Sequence, residues 1–309
     1  MVGIVILNYI SYMETKKCVN SIIGTIDINY KIYIVDNGSP NDSYEQLKKT
    51  FKNNKKIVLI NNPINVGFSA GNNIGIKYAM DDKVENIILT NSDIIFHEKS
   101  IDKMVGFLNR NKEVGIVSPK ILDKKGEIYI KSRIFKRTGI KEKIFARTKL
   151  KGLDLFDIYT NYYGLNKSFN EKHEIYTASG SCMALSKEMV KLITPLDENT
   201  FLYEEELIIG IRAEKTPLKV CYFPDAIVTH FHGKSSKYIG AWSLIHLVNS
   251  EIYYCKSYLN ASVLEILPIY INRILFYIYM TFYHKDYRKK TNIFLKETIK
   301  RLLSKDGLG

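Results

Sequence analysis

Residues 86–93 read Asn-Ile-Ile-Leu-Thr-Asn-Ser-Asp, an apolar run that ends abruptly in the polar triplet Asn91-Ser92-Asp93. Taken as a buried strand and the turn after it, the segment puts a carboxylate at a strand's carboxyl end, where open α/β sheets bind ligands. Two uses of Asp93 are open. Asp is a preferred N-cap residue, so it would suit the start of a following helix. Its oxygens would equally suit Mg²⁺ or Mn²⁺ held against a diphosphate, since such ions take one or two carboxylates plus substrate phosphates.

The same pattern extends outward in both directions. From Val2 to Pro119 short apolar runs (GIVIL, KIYIVD, KIVLI, IILT, VGIVSP) alternate with amphipathic stretches near residues 12–26, 44–51, 70–80 and 100–109. Repeated βα units of this length imply a largely parallel sheet covered by helices. Residues 123–174 are rich in Lys, Arg, Tyr and Phe without a period, and are expected to form loops and short elements lining an acceptor site. Order returns from Ile175 to Ser236, with SCMAL as a strand, SKEMVKLI and EEELIIGIRAEK as helices, and VCYF and AIVTH as two short strands. Beyond Ala241 the chain is helical and aromatic.

At 309 residues and 46% hydrophobic, the chain can bury one large core, or a core plus an appended module. Its net charge of +13 suits phosphorylated substrates, an anionic membrane or nucleic acid, but no nucleic-acid module is present and that partner is set aside. The four cysteines lack metal or disulfide spacing, and the opening MVGIVILNYIS reads as a strand rather than a leader, so a cytoplasmic location is expected. The stretch Val263–Tyr283 has membrane-span length but is interrupted by Glu265, Pro268, Asn272 and Arg273. Eight basic and two acidic side chains follow between Lys285 and Lys305. An aromatic helix followed by a basic one suits the inner leaflet of the plasma membrane; a homodimer or core interface is the competing use of that face.

Four polar segments sit at expected strand ends, and a fifth carries two histidines. In VDNGSPNDS, Asp36 and Asn37 precede turn chemistry and can face a base or ribose. In NPINVGFSAGNNIGI, glycines precede a helix whose amino end favours anions. TNSD is the third. In TFLYEEELIIGIR, adjacent helical residues point about 100° apart, so Glu204, Glu205 and Glu206 cannot share one environment. Glu204 suits a helix start, while an inward Glu205 or Glu206 could act as general base. In AIVTHFHGKS, His230 and His232 fall on one side of a strand, as ligands or phosphate contacts, or as satisfied core residues.

Taken in order, VILNY, VDNGSPNDS, NVGFSAGNNIGI, TNSD, GSCMAL, PLDENTFLYEEE and VTHFHGKS resemble the inverting glycosyltransferases of family 2, particularly the bacterial rhamnosyltransferase-like branch that builds surface polysaccharides. The resemblance covers about residues 1–240. It implies an α/β GT-A fold with a C-terminal helical extension: a donor-binding half over 1–119, an acceptor and catalytic half over 120–240, and the extension over 241–309. It also implies transfer of rhamnose or another hexose from a nucleotide-diphosphate sugar to a lipid-linked or oligosaccharide acceptor. Asn8, Tyr9 and Asp36 would then surround the nucleoside, with Asn37 beside them. Asn65, Gly67, Phe68 and Asn72 would border the donor sugar and diphosphate. Asp93 matches the last acid of the family's Asp-x-Asp motif while Asn91 replaces the first, so His230, with His232 as a second candidate, would help hold Mg²⁺ or Mn²⁺. Glu205-Glu206 matches the family's Glu-Asp pair, which makes Glu206 the expected base and Glu205 its alternative; Ile208 stands where many members have a further Asp. The rival readings are a nucleotidyltransferase, disfavoured because NYISYMET carries no Lys or Arg, and a degenerate membrane-associated scaffold.

Overall fold

The computed structural model describes residues 1–231 and 239–304. The amino-terminal part runs β1 (Val2–Asn8), α1 (Tyr12–Ile23), β2 (Tyr30–Asn37), α2 (Ser43–Phe51), β3 (Ile57–Asn62), α3 (Phe68–Asp81), β4 (Asn86–Asn91), β5 (Ile94–Phe96), α4 (Ser100–Arg110) and β6 (Val114–Asp123). Then come β7 (Arg133–Ile134), α5 (Ile140–Phe145), α6 (Ile158–Tyr163), β8 (His173–Glu174), β9 (Thr177–Ala178), β10 (Cys182–Ser186), α7 (Lys187–Ile193), α8 (Glu205–Glu214) and β11 (Lys219–His230). The chain closes with α9 (Ala241–Leu259), α10 (Val263–Tyr283) and α11 (Lys285–Leu303).

The main sheet has the order β3-β2-β1-β4-β10-β6-β11-β5, with β8 beside β11. β3, β2, β1 and β4 are parallel, whereas β10 runs antiparallel to both β4 and β6. The sheet is therefore mixed, and its polarity changes beside the strand that ends in Asn91. Strand period decides its two faces: Ile4, Ile6, Ile32 and Ile34 pack under α1, α2 and α4, while Val5, Tyr33 and Val35 pack under α3, α7 and α8. Helix α3 lies close because Gly71 and Gly75 face the sheet; a Cβ on Gly75 would come within 2.4 Å of Val5 Cγ1.

One expectation changes. VCYF and AIVTH form one strand, β11, whose register against β6 shifts between Phe223 and Ile227. Pro224 lacks the N–H that a regular ladder requires, and a bulge accommodates it. The polar residues interrupting α10 also have uses: Ser262 and Glu265 form its capping box, and Arg273 pairs with Glu251 of α9. Leu207, Ile208 and Ile211 of α8 share one apolar cluster with Leu244, Ile266, Tyr277 and Phe294 of the last three helices. These helices thus complete a core begun before residue 212.

Candidate active site

At the carboxyl ends of β1 and β2 the expected nucleoside contacts mainly bind one another. Asn8, fully buried, donates to Asp36 Oδ2 at 2.6 Å and accepts from Thr15 at 2.6 Å and Ser11 at 3.3 Å. Asp36 also accepts from the backbone and hydroxyl of Ser39. Asn37 uses every hydrogen-bonding position of its amide: it donates to Asn65 Oδ1 and Gly67 O, and accepts from Asn62 and the Val66 N–H. The side-chain amides of Asn8 and Asn37, both expected on the donor side, are thus engaged by protein partners in this structure. Tyr9, 42% exposed, is open to solvent beside them.

Gly67 and its neighbours pack against the loop that precedes α8. Gly67 has φ of +88°, and a Cβ there would lie 2.4 Å from the Phe201 carbonyl oxygen. That carbonyl also accepts from the Phe68 N–H at 2.8 Å, so the first N–H of α3 is taken by protein rather than by an anion. Asn65 accepts from the Gly67 N–H, Asn72 is buried and donates to Phe68 O, and Asn73 bonds Leu196 through both its amide groups. Together these residues pin the 195–204 loop, which leads directly to the three glutamates.

The triplet Asn91-Ser92-Asp93 forms a tight turn between β4 and β5. Asn91 is half-buried with its N–H on Ser181 O, and Ser92 Oγ sits 3.2 Å from Ser11 Oγ. Asp93 caps no helix: a strand follows it, and α4 begins only at Ser100 behind Lys99. Pairing of β5 with the end of β11 brings Asp93 Oδ1 to 3.1 Å from His230 Nε2. That spacing is close to the roughly 3 Å edge between neighbouring ligands of an octahedral ion bound at about 2.1 Å. Among the described residues no further His, Cys, Asp or Glu completes a group of three. The pair therefore fits a divalent ion whose other ligands are substrate phosphates and water. His232 lies outside the described residues.

The three glutamates diverge at the start of α8. Tyr203 and Glu204 both have positive φ, of 76° and 72°, a conformation that non-glycine residues hold only when surroundings impose it. The fully buried Glu204 pairs with the fully buried Lys143 and lies 3.6 Å from Arg147. Lys143 also approaches Glu251 at 3.5 Å, and Arg273 binds Glu251 through two hydrogen bonds. Burial pushes the Glu251 carboxyl up, but Arg273 and Lys143 outweigh it and hold the pKa down to about 2. Glu205 is buried with Oε1 unpartnered; burial, and then repulsion from Glu206, push its pKa well up. Glu206 instead borders a cavity of about 660 Å³, with Arg147 3.6 Å from its Oε1. Tyr129 and Ser179 border the same space, and the Tyr129 ring meets the His230 ring edge-on at 6.4 Å, so the cavity adjoins the Asp93–His230 pair. On sequence alone the network of Lys143, Arg147, Glu251 and Arg273 goes unseen; its only signal is the basic, aperiodic character of residues 123–174.

A mixed α/β sheet with polar turns at the ends of β1, β2 and β4, and a cavity bordered by Glu206 beside them, is the arrangement of a GT-A glycosyltransferase. The fold matches the crystal structure of GalNAc-T7 with UDP, GalNAc and Mn²⁺ (TM-score 0.59, 14% identity, 100% of this chain and 58% of that one). It also matches S. aureus TarS 1–349 in complex with UDP-GlcNAc (TM-score 0.52, 13% identity, 82% and 66%). The chain belongs to glycosyl transferase family 2, whose model matches residues 3–193. It is similar to the low-salt glycan biosynthesis hexosyltransferase Agl10 of Haloferax volcanii, 26% identical over 73% of this chain and 66% of that relative. It is likewise similar to the dTDP-rhamnosyl transferase RfbF of Shigella flexneri, 25% identical over 77% of this chain and 72% of that one. Family membership sets the nucleotidyltransferase reading aside.

Proposed function

We propose that the protein moves a hexose or rhamnose from a nucleotide-diphosphate donor to an acceptor hydroxyl in glycan assembly, with inversion, and that Glu206 is the general base. The observation that carries this is the divergence of the glutamates: Glu206 alone borders the cavity, while Glu204 and Glu205 are buried. Residues 1–119 serve the donor, and residues 120–240 together with α9 and α10 enclose the acceptor. Glu206 takes the proton of the acceptor hydroxyl as its oxygen attacks the anomeric carbon. The bond from that carbon to the diphosphate oxygen breaks on the opposite face, and the nucleoside diphosphate leaves with the electron pair. Arg147 keeps the Glu206 carboxylate turned to the cavity. Asp93 and His230 would hold Mg²⁺ or Mn²⁺, whose charge would neutralise the departing diphosphate.

One set of assays tests both assignments. Glu206→Gln is expected to lower kcat by roughly 10²- to 10⁴-fold with donor affinity kept, whereas Glu205→Gln retains most of its turnover. Asp93→Ala is expected to change the Mn²⁺ dependence of turnover. Wild-type rates in Glu206→Gln would remove the base, and an unchanged Mn²⁺ titration in Asp93→Ala would remove the metal ligand.

The last two helices support placement at the cytoplasmic face of the plasma membrane, close to a lipid-linked acceptor. Leu264, Ile271, Leu275, Ile278 and Phe282 follow helical spacing and form an exposed apolar stripe on α10, with Leu264 79% and Phe282 75% accessible. The opposite side of α10 packs through Ile266, Ile269, Tyr270 and Tyr277, so the helix suits lying in the interface rather than crossing it. Lys285, Lys289, Lys296 and Lys300 on α11 supply charge for anionic lipid. Leu264→Asp with Phe282→Asp is expected to abolish co-sedimentation with phosphatidylglycerol vesicles. Undiminished binding, or loss of a dimer in its place, would exclude this placement.

A further inference from the structure

Lys131, Arg147 and Lys151 line the cavity that Glu206 faces. Arg147 is shared between Glu204 and Glu206, each 3.6 Å away. Lys131 and Lys151 have no carboxylate partner among the described residues; Lys151 instead lies over the Tyr159 ring at 5.6 Å. Lys131 feels the other two cations. Burial lowers the Lys131 pKa, and the charges of Lys151 and then Arg147 lower it further. Like charges gathered around one cavity are relieved when an anion enters it. The cavity also has an apolar lining from α9 and α10, Leu244, Leu247, Leu275, Phe276 and Tyr279, beside Asn272 and the Glu251-paired Arg273; Leu275 and Tyr279 also belong to the exposed side of α10.

We propose that Lys131, Lys151 and Arg147 form a subsite for a phosphate or diphosphate group carried by the acceptor, beside the hydroxyl that Glu206 deprotonates. This rests on reading the cavity as the acceptor site. The anion can belong to a lipid headgroup whose chain follows the apolar wall out along α10, or to a phosphate within a soluble glycan. Both offer the same oxygens to the same three cations. The donor's own diphosphate is the competing occupant, and its expected position is at the turns ending β1, β2 and β4 instead.

The test is calorimetric titration of the full chain with inorganic pyrophosphate and with dodecyl phosphate below its micellar concentration. UDP and dTDP titrations on the same proteins report the donor side. Lys131→Gln combined with Lys151→Gln is expected to weaken pyrophosphate roughly tenfold or more while the nucleotide affinity stays unchanged. Lys131→Arg with Lys151→Arg should restore binding. Both lysines line the cavity while keeping access to solvent, so the unchanged nucleotide affinity also certifies the fold. Tighter binding of dodecyl phosphate than of pyrophosphate, lost in Leu275→Ser, supports the subsite with a lipid source; equal binding of the two supports it with a soluble one. The proposal is overturned if the wild type binds neither probe, if the lysine variants bind both as the wild type does, or if nucleotide affinity falls in parallel. Glu206→Gln should bind pyrophosphate at least as tightly as the wild type, so failure of the base assignment and failure of the subsite give different results.

Discussion

The ends of β1 and β2 and the start of α8 solve the same problem by opposite means. Around Asn37, four hydrogen bonds between neutral groups fix the Gly67 turn. Around Lys143, charges face one another with little access to water: Lys143, Arg147 and Arg273 against Glu204, Glu206 and Glu251, of which Lys143 and Glu204 are fully buried. An amide network sets shape at little risk, since each lost partner leaves a neutral group. An ionic network loses far more when one member is removed, because a buried charge is left behind. The 195–204 loop is held between the two, pinned by Gly67 at Phe201 and by Lys143 at Glu204.

The largest expected effect lies on the ionic side. Lys143→Met keeps the apolar stem but leaves Glu204 with Arg147 alone, and should destabilise the protein by about 3–5 kcal/mol in urea unfolding. It should also relax the left-handed Tyr203–Glu204 turn and so lower kcat. A loss below about 1 kcal/mol would mean that Arg147 and Arg273 suffice, and the contrast between the two regions would fail.

Asn37→Ala comes next, with an expected cost of about 1–3 kcal/mol from the Val66 N–H and Gly67 carbonyl left without partners. Its effect on function should reach the 195–204 loop through the Gly67–Phe201 contact. Both donor affinity and kcat should therefore fall, which steady-state kinetics would separate. A fall in donor affinity alone would return Asn37 to the direct ligand role that its hydrogen bonds argue against.

The alternation of apolar and amphipathic runs was enough to place β1 to β4 and α1 to α4 within a few residues, because period 2 and period 3.6 are local signals. The placement of Asp93 was harder. The same three residues, Ile94 to Phe96, read as a helix start or a strand, and only pairing with β11, more than 130 residues away, decides for the strand. That pairing also brings His230 to Asp93. Glutamates at three successive positions announce that one must face inward, but not which. The choice depends on Lys143 and Arg147, whose burial has no local signature in a stretch of irregular, basic sequence. Asn8 and Asn37 show a related limit: a polar strand end does not announce the protein partners that engage its amide.

Glu205→Gln carries the smallest expected effect and the sharpest sign. The buried Glu205 carboxyl has its pKa raised by burial and by Glu206, while the unfolded chain titrates near the ordinary glutamate value. Below that ordinary value both states hold the proton, so the substitution should be neutral. As pH rises from there toward the raised native pKa, the unfolded state gives up its proton first and the wild type loses stability. Gln at 205 carries no ionisable group and escapes that loss. The variant should therefore melt at the wild-type temperature near pH 4 and a few degrees above it near pH 8, a gain on the order of 1 kcal/mol. Calorimetric scans across that range check it. A variant less stable than wild type at pH 8 would mean that the Glu205 carboxylate is charged and held by a favourable partner, and Glu206 would then have to share its assignment as the base.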